Sequence, residues 1–148
     1  SSAPDDGRSW REHLQKELGE RIDYKRVHLF GRMPHEQLQK LYRRSDLHIY
    51  LSRAFVLSWS LLELMACGTP VLAEANQMMK ELIKPGINGA LWRGQPEGLA
   101  KAILTLLETP DQLRAWGEQA RQELHPTYLQ DHCISQLEEL LKAQASCF

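Results

Sequence analysis

The chain of 148 residues predicts an α/β domain, a parallel sheet flanked by helices. Three observations carry this expectation. Short apolar runs alternate with longer segments in which apolar residues recur every three or four positions, the pattern of strands alternating with helices. The run Leu47-His48-Ile49-Tyr50-Leu51 is apolar at nearly every position, as strands covered on both faces are. Glycine, proline and small polar residues punctuate the boundaries.

The elements follow in order. Ser9, Trp10, Arg11 and Glu12 form a capping box, and Leu14, Leu18 and Ile22 stripe the helix behind it. Val27, His28, Leu29 and Phe30 read as a first strand, ended by Gly31. Pro34 suits the first turn of the next helix, whose buried face is Leu38, Leu41 and Tyr42. Residues 47–51 form the second strand. A helix around 60–67 follows, closed by Gly68, and Pro70 opens a third strand to Ala73. Residues 78–83 read as a short helix, 85–89 as a turn cluster and 90–92 as a fourth strand. Leu99, Ile103, Leu106 and Leu107 stripe one helix; Thr109-Pro110-Asp111 opens another, with Leu113, Trp116 and Ala120 on one side. Pro126 is expected to separate it from a last helix bearing Tyr128, Ile134, Leu137, Leu140 and Leu141.

Composition narrows the class. Eighteen lysines and arginines face 19 acids, a net charge of −1. That balance gives no reason to expect a nucleic-acid partner, which usually announces itself by a basic excess. Cysteines at 67, 133 and 147 match neither metal-ligand spacing nor an even disulfide framework, so no metal site is expected and the thiols read as cytosolic. No run of about 18 apolar residues is present to span a bilayer. The expected location is cytoplasmic, or peripheral at the inner face of the membrane.

The chemistry concentrates between the second and third strands. In a parallel α/β sheet the ligand sits beyond the carboxyl ends of the strands. The loops 31–34 and 52–58 are expected there, and the helix behind the second carries Glu63 in its early turns. Free N–H groups and partial positive charge at a helix start suit a phosphate. A carboxylate a turn further in accepts hydrogen bonds from sugar hydroxyls. His28 and His48 read as packing residues, and His35 as a residue at a helix start near the expected base site. Arg43 and Arg44 read as a solvated helix face ahead of an anionic-lipid contact, and Met78 and Met79 as packing against the sheet. Trp59 is left between two roles, lining a sugar pocket or anchoring its helix in the core.

These residues also carry a resemblance. Phe30-Gly31-Arg32-Met33-Pro34, Leu38 to Tyr42, Ser45-Asp46, Ser52, the stretch Leu62-Glu63-Leu64-Met65-Ala66-Cys67-Gly68-Thr69-Pro70-Val71, Glu81-Leu82-Ile83 and Gly86-Ile87-Asn88-Gly89 resemble the C-terminal half of a family 4 glycosyltransferase. Such enzymes are retaining and have the GT-B architecture. The resemblance implies an incomplete Rossmann-like domain over 1–148 that binds a nucleotide-diphosphate sugar, with no metal and no further cofactor. It implies that Glu63 holds the ribose hydroxyls. It implies that Leu57, Ser58, Trp59 and Ser60 offer groups to the diphosphate, with Ser52 in the same loop. Gly31, Arg32 and Met33 match the turn beside the nucleobase. Phe55 stands where the family has its first motif glutamate, as in a bacterial subgroup, and no catalytic residue is assigned. The N-terminal acceptor domain and the first strand-helix-strand of this domain are expected to be absent from the chain. The strands at 27–30 and 47–51 would then carry open edges. They are expected to pair with each other or with a second copy. The rival expectation is a non-catalytic α/β interaction or assembly module derived from such an enzyme.

Overall fold

The computed structural model describes residues 9–51, 59–128 and 130–145. The chain divides into two compact units, 1–34 and 35–148.

In the first unit, α1 spans Trp10–Leu18, and a single 3-10 turn, Gly19–Arg21, follows. The capping box forms as the sequence predicts: the Glu12 amide donates to Ser9 Oγ and the Ser9 amide donates to the Glu12 carboxylate. Residues 27–30 are not a strand. Their backbone groups are engaged locally instead. The Val27 amide donates to the Asp23 carbonyl at 2.9 Å, and the Arg11 guanidinium donates to the Leu29 carbonyl. The expected pairing of 27–30 with 47–51 therefore does not form. A strand exists only through a neighbour's ladder, and apolar composition alone supplied no neighbour.

The second unit holds a parallel sheet of three strands, β1 (His48–Tyr50), β2 (Val71–Glu74) and β3 (Ala90–Trp92), in that spatial order. His48 lies opposite Val71 and Leu72 opposite Ala90. The helices are α2 (His35–Arg44), α3 (Trp59–Ala66), α4 (Gln77–Leu82), α5 (Pro96–Leu107), α6 (Pro110–Tyr128) and α7 (Gln130–Ala145). Val71 and Ala73 point to one face of the sheet, where they meet Leu61, Leu64 and Met65 of α3 and Ala120 and Leu124 of α6. Leu61 and Leu64 are fully buried, each contributing about 1.5–3 kcal/mol of apolar transfer. Leu72 and Trp92 point to the other face and line a groove beside α5.

Two polar ties join helices to loops. Buried Thr69 donates its hydroxyl to the Tyr42 carbonyl at 2.8 Å, holding the end of α2 to the turn after α3. Buried Asn88 accepts from the Lys84 amide at 2.7 Å and donates to both the Leu82 carbonyl and the Glu123 carboxylate at 2.9 Å. Hydrogen bonds from Gln119, Lys84 and Asn88 hold the Glu123 carboxyl below its ordinary range, against the opposing effect of burial. The turn cluster read at 85–89 is thus pinned to α6.

α3 ends as Gly68 predicts. Gly68 has φ +73°, its amide donates to the Met65 carbonyl at 2.9 Å, and the Thr69 amide donates to the Leu64 carbonyl at 3.2 Å. That is the Schellman pattern. Gly117, in the middle of α6, lies directly on this cap; a methyl group there would overlap the Gly68 carbonyl oxygen. Three expectations shift. Leu41 is exposed rather than buried, because Leu38 and Tyr42 already fill the face of α2 turned to the core. α6 runs on through Pro126 to Tyr128; a proline removes one helical hydrogen bond, and a helix anchored by Leu113, Trp116, Ala120 and Leu124 absorbs that loss. Ile134, Leu137, Leu140 and Leu141 of α7 are exposed.

Two expected outcomes follow from this packing. Gly117→Ala should lower the unfolding free energy by about 1–3 kcal/mol, although alanine in an open helix gains about 1 kcal/mol over glycine. A urea midpoint at or above wild type would show that α6 can retreat from Gly68. The second concerns His48, whose burial pushes its imidazole below the ordinary value. The folded chain holds the ring neutral while the unfolded chain takes up a proton, so stability falls as pH drops below about 6.5. Replacing His48 with phenylalanine should flatten this loss between pH 7.5 and 5.5 in denaturation curves. An unchanged slope would mean that His48 is protonated in the fold.

Candidate functional site

All three strands run the same way, so their carboxyl ends share one edge. β1 reaches that edge at Tyr50, and α3 starts from it at Trp59. The loop between them holds Ser52, Phe55, Leu57 and Ser58, which lie outside the described residues. Trp59, Ser60 and Glu63 share α3.

Trp59 is 82% exposed. It does not anchor α3 in the core, which decides one of the two roles left open by the sequence. Ser60 faces inward, its hydroxyl 3.4 Å from the Tyr50 hydroxyl. This contact ties the first turn of α3 to the end of β1. Glu63 sits one turn further along, on the flank of α3 turned to α2. Its side chain is 38% exposed, neither sealed in the core nor free in solvent, and Oε2 is 4.0 Å from Nδ1 of His35. Gln39 Nε2 lies 2.9 Å from His35 Nε2, a second polar contact of the same ring. At 4.0 Å the pair is an ion-pair contact when the ring is protonated and too long for a direct hydrogen bond.

The surroundings of Glu63 are aromatic. The Tyr42 phenol is pushed above its ordinary value, first by burial, then by the negative charge of Glu63, with smaller effects of Cys67 and Tyr50. His48 meets the Tyr42 ring edge-on at 5.7 Å, the packing role expected of it. His28 lies in no strand; its ring lies 6.1 Å from that of Phe30 within the first unit. Met79 is fully buried and Met78 packs against the core, as expected. Cys67 is half-buried and Cys133 exposed.

Gly31, Arg32 and Met33 belong to the 1–34 unit rather than the unit that carries Glu63. Gly31 and Arg32 are exposed and Met33 is half-buried. Among the described residues no group of three or more His, Cys, Asp or Glu side chains is placed to hold a metal ion, and no helix is long and apolar enough to cross a membrane. Sequence reasoning missed the His35–Glu63 approach in detail, and it missed Gly117 entirely. A glycine in the middle of an otherwise strong helix pattern is itself a signal, since it costs about 1 kcal/mol against alanine unless something needs the space.

The family model described as Glycosyl transferases group 1 matches residues 7–123. D-inositol 3-phosphate glycosyltransferase 1 of Catenulispora acidiphila is 35% identical over 83 residues, covering 55% of this chain and 20% of that protein. Sucrose-phosphate synthase of Thermosynechococcus elongatus superposes with a TM-score of 0.79 at 24% identity, covering 100% of this chain and 38% of that one. HepE of Anabaena, solved in complex with UDP, superposes with a TM-score of 0.77 at 25% identity, covering 90% of this chain and 37% of that one. The chain spans between about a fifth and two fifths of the length of these proteins. Its parallel sheet with flanking helices is part of the GT-B glycosyltransferase fold. With most of its length matched by that model, the chain belongs to the group 1 glycosyltransferases.

Proposed function

We propose that the chain is the donor-binding part of a family 4 glycosyltransferase, one that transfers a sugar from a nucleotide diphosphate to an acceptor with retention at the anomeric carbon. One observation carries the reading: a partly exposed carboxylate, Glu63, one turn inside a helix that starts at the carboxyl edge of a parallel sheet. The UDP held by HepE of Anabaena supports a nucleotide ligand. In this reading Glu63 accepts the ribose hydroxyls. The amides at the start of α3 face the diphosphate, with Ser52, Leu57, Ser58, Trp59 and Ser60 around it. Gly31, Arg32 and Met33 serve the base.

Catalysis by such a site is electrostatic: fixed dipoles and cations offset the charge of the departing diphosphate. No metal is required in this reading. In this reading the basic side chains that share the task come from the first strand-helix-strand of the donor-binding domain, and the acceptor site from an N-terminal domain. Phe55 takes the place of the first motif glutamate. A phenyl ring cannot accept a hydrogen bond, so the sugar is held by other groups. The 148 residues alone are therefore expected to be inactive. The protein would work in the cytoplasm or at the inner membrane face.

Phe55 also supports a second reading, an interaction or assembly module that keeps the shape without the chemistry. The outer edge of β1 carries no partner strand among the described residues, which favours closure by the rest of the protein or by another copy.

Glu63→Ala removes charge-assisted hydrogen bonds of roughly 1.5–3 kcal/mol, about a 10- to 100-fold loss of affinity for the nucleotide. Calorimetry with UDP on a protein carrying both domains measures it. Affinity equal to wild type would end the ribose role.

A further inference from the structure

A concave site lies at the opposite end of the same unit. It is a cleft of about 430 Å³ at the amino edge of the sheet, where β1 and β2 begin. Arg43 and Arg44, at the end of α2, line one side; Arg114, in the first turns of α6, lines the other; Gly68 and Pro70 are among the residues lining it. We propose that this cleft binds a phosphate-bearing anion.

The charges support that ligand. Neither Arg43 nor Arg44 makes an ion pair or a side-chain hydrogen bond among the described residues, and both are exposed. Arg114 shares its charge with Asp111 at 3.3 Å, and Asp46 is the carboxylate that lines the cleft. With Arg43, Arg44 and Arg114 against Asp46 and Asp111, the local balance is +1, in a chain whose net charge is −1. The ordinary account of Arg43 and Arg44 is that basic groups in the last turn offset the negative end of a helix. It explains their place in α2. It does not explain why a third guanidinium, Arg114 of α6, faces the same concavity from a distant part of the chain. Guanidinium groups bind phosphate through paired N–H donors, and two unpaired ones beside a cleft lose no existing partner when an anion arrives.

The location separates this site from the one around Glu63. Asp46 and Pro70 precede β1 and β2, whereas Glu63 lies in the helix that leaves the carboxyl end of β1. The anion can come from two sources, a free phosphate compound or the headgroup of an anionic lipid, and the chemistry is shared.

The test uses the 148-residue chain. Inorganic pyrophosphate is titrated while backbone amide shifts near Asp46 and Asp111 are followed by NMR, with sodium chloride of matched ionic strength as control. In parallel, the chain is floated with vesicles of phosphatidylcholine alone or with added phosphatidic acid. Saturable shifts with pyrophosphate indicate a free-phosphate site; flotation only with phosphatidic acid indicates a headgroup site. Either supports the proposal if Arg43→Gln/Arg44→Gln weakens it by roughly tenfold or more with the melting temperature unchanged. Arg114→Ala is the second variant, should the first fail to fold, and it should weaken the same signal. Binding that survives both substitutions, or shifts that sodium chloride reproduces, or no response in either arm, overturns it. UDP affinity is expected to stay at wild-type level in these variants, so failure here and failure of the Glu63 reading are read separately.

Discussion

The contact of Gly117 with the Gly68 carbonyl governs the arrangement of the larger unit. α3 must stop before β2 can begin, and it stops through a left-handed glycine whose own amide satisfies the Met65 carbonyl while the Thr69 amide satisfies that of Leu64. Because Gly117 carries no Cβ, α6 can lie against this cap rather than a side chain's width away. The close approach brings Ala120 and Leu124 onto Leu61, Leu64 and Met65. α3 is then fixed at its far end. Its near end, with Ser60 against Tyr50, falls at the carboxyl edge of the sheet. The position of Glu63 is a consequence of where α3 is stopped.

A second clamp holds α6 two turns further along. Asn88 is buried with its amide oxygen and nitrogen engaged, and one of its partners is the Glu123 carboxylate. Lys84 and Gln119 complete that carboxylate's shell. A buried polar side chain in a turn is costly when unpaired, so the turn at 85–89 is committed to one geometry once α6 is in place. Gly89 passes close to the Val71 carbonyl and the Ile83 side chain, which fits β3 beside β2. The apolar core and this polar tie thus specify the same position of α6.

What the sequence made legible was local. The capping box at Ser9, the end of α3 at Gly68, the strands around Val71 and Ala90 and the buried stripe of α6 each rest on residues within one or two turns of each other, where cap, turn and periodicity rules act. What it left illegible depends on distant partners. Residues 27–30 have strand composition and no strand, because pairing is decided elsewhere in the chain. Pro126 marks a break only if no neighbouring packing holds the helix together. Leu41 follows the apolar stripe of α2, yet Tyr42 and Leu38 take the inner position. Of the site, the α3 register of Trp59, Ser60 and Glu63 was readable from the strand-loop-helix pattern. That His35 comes within 4.0 Å of Glu63 was not, since it depends on how α2 crosses α3.

The parallel sheet also sorts charge along the molecule. Helices that follow strands, such as α3 and α5, begin at the carboxyl edge and return to the amino edge. α6 follows a helix instead, so it begins at the amino edge, beside the end of α2. Helix starts and ends therefore meet at that pole, and the arginines collect there. A donor site needs amide dipoles and a carboxylate at one edge. The guanidinium cluster would compete for the same phosphates if it stood beside them. Separation by the length of the strands lets one small unit hold the Glu63 carboxylate at one pole and the arginine-lined cleft at the other, which is why substitutions at the two poles should act independently.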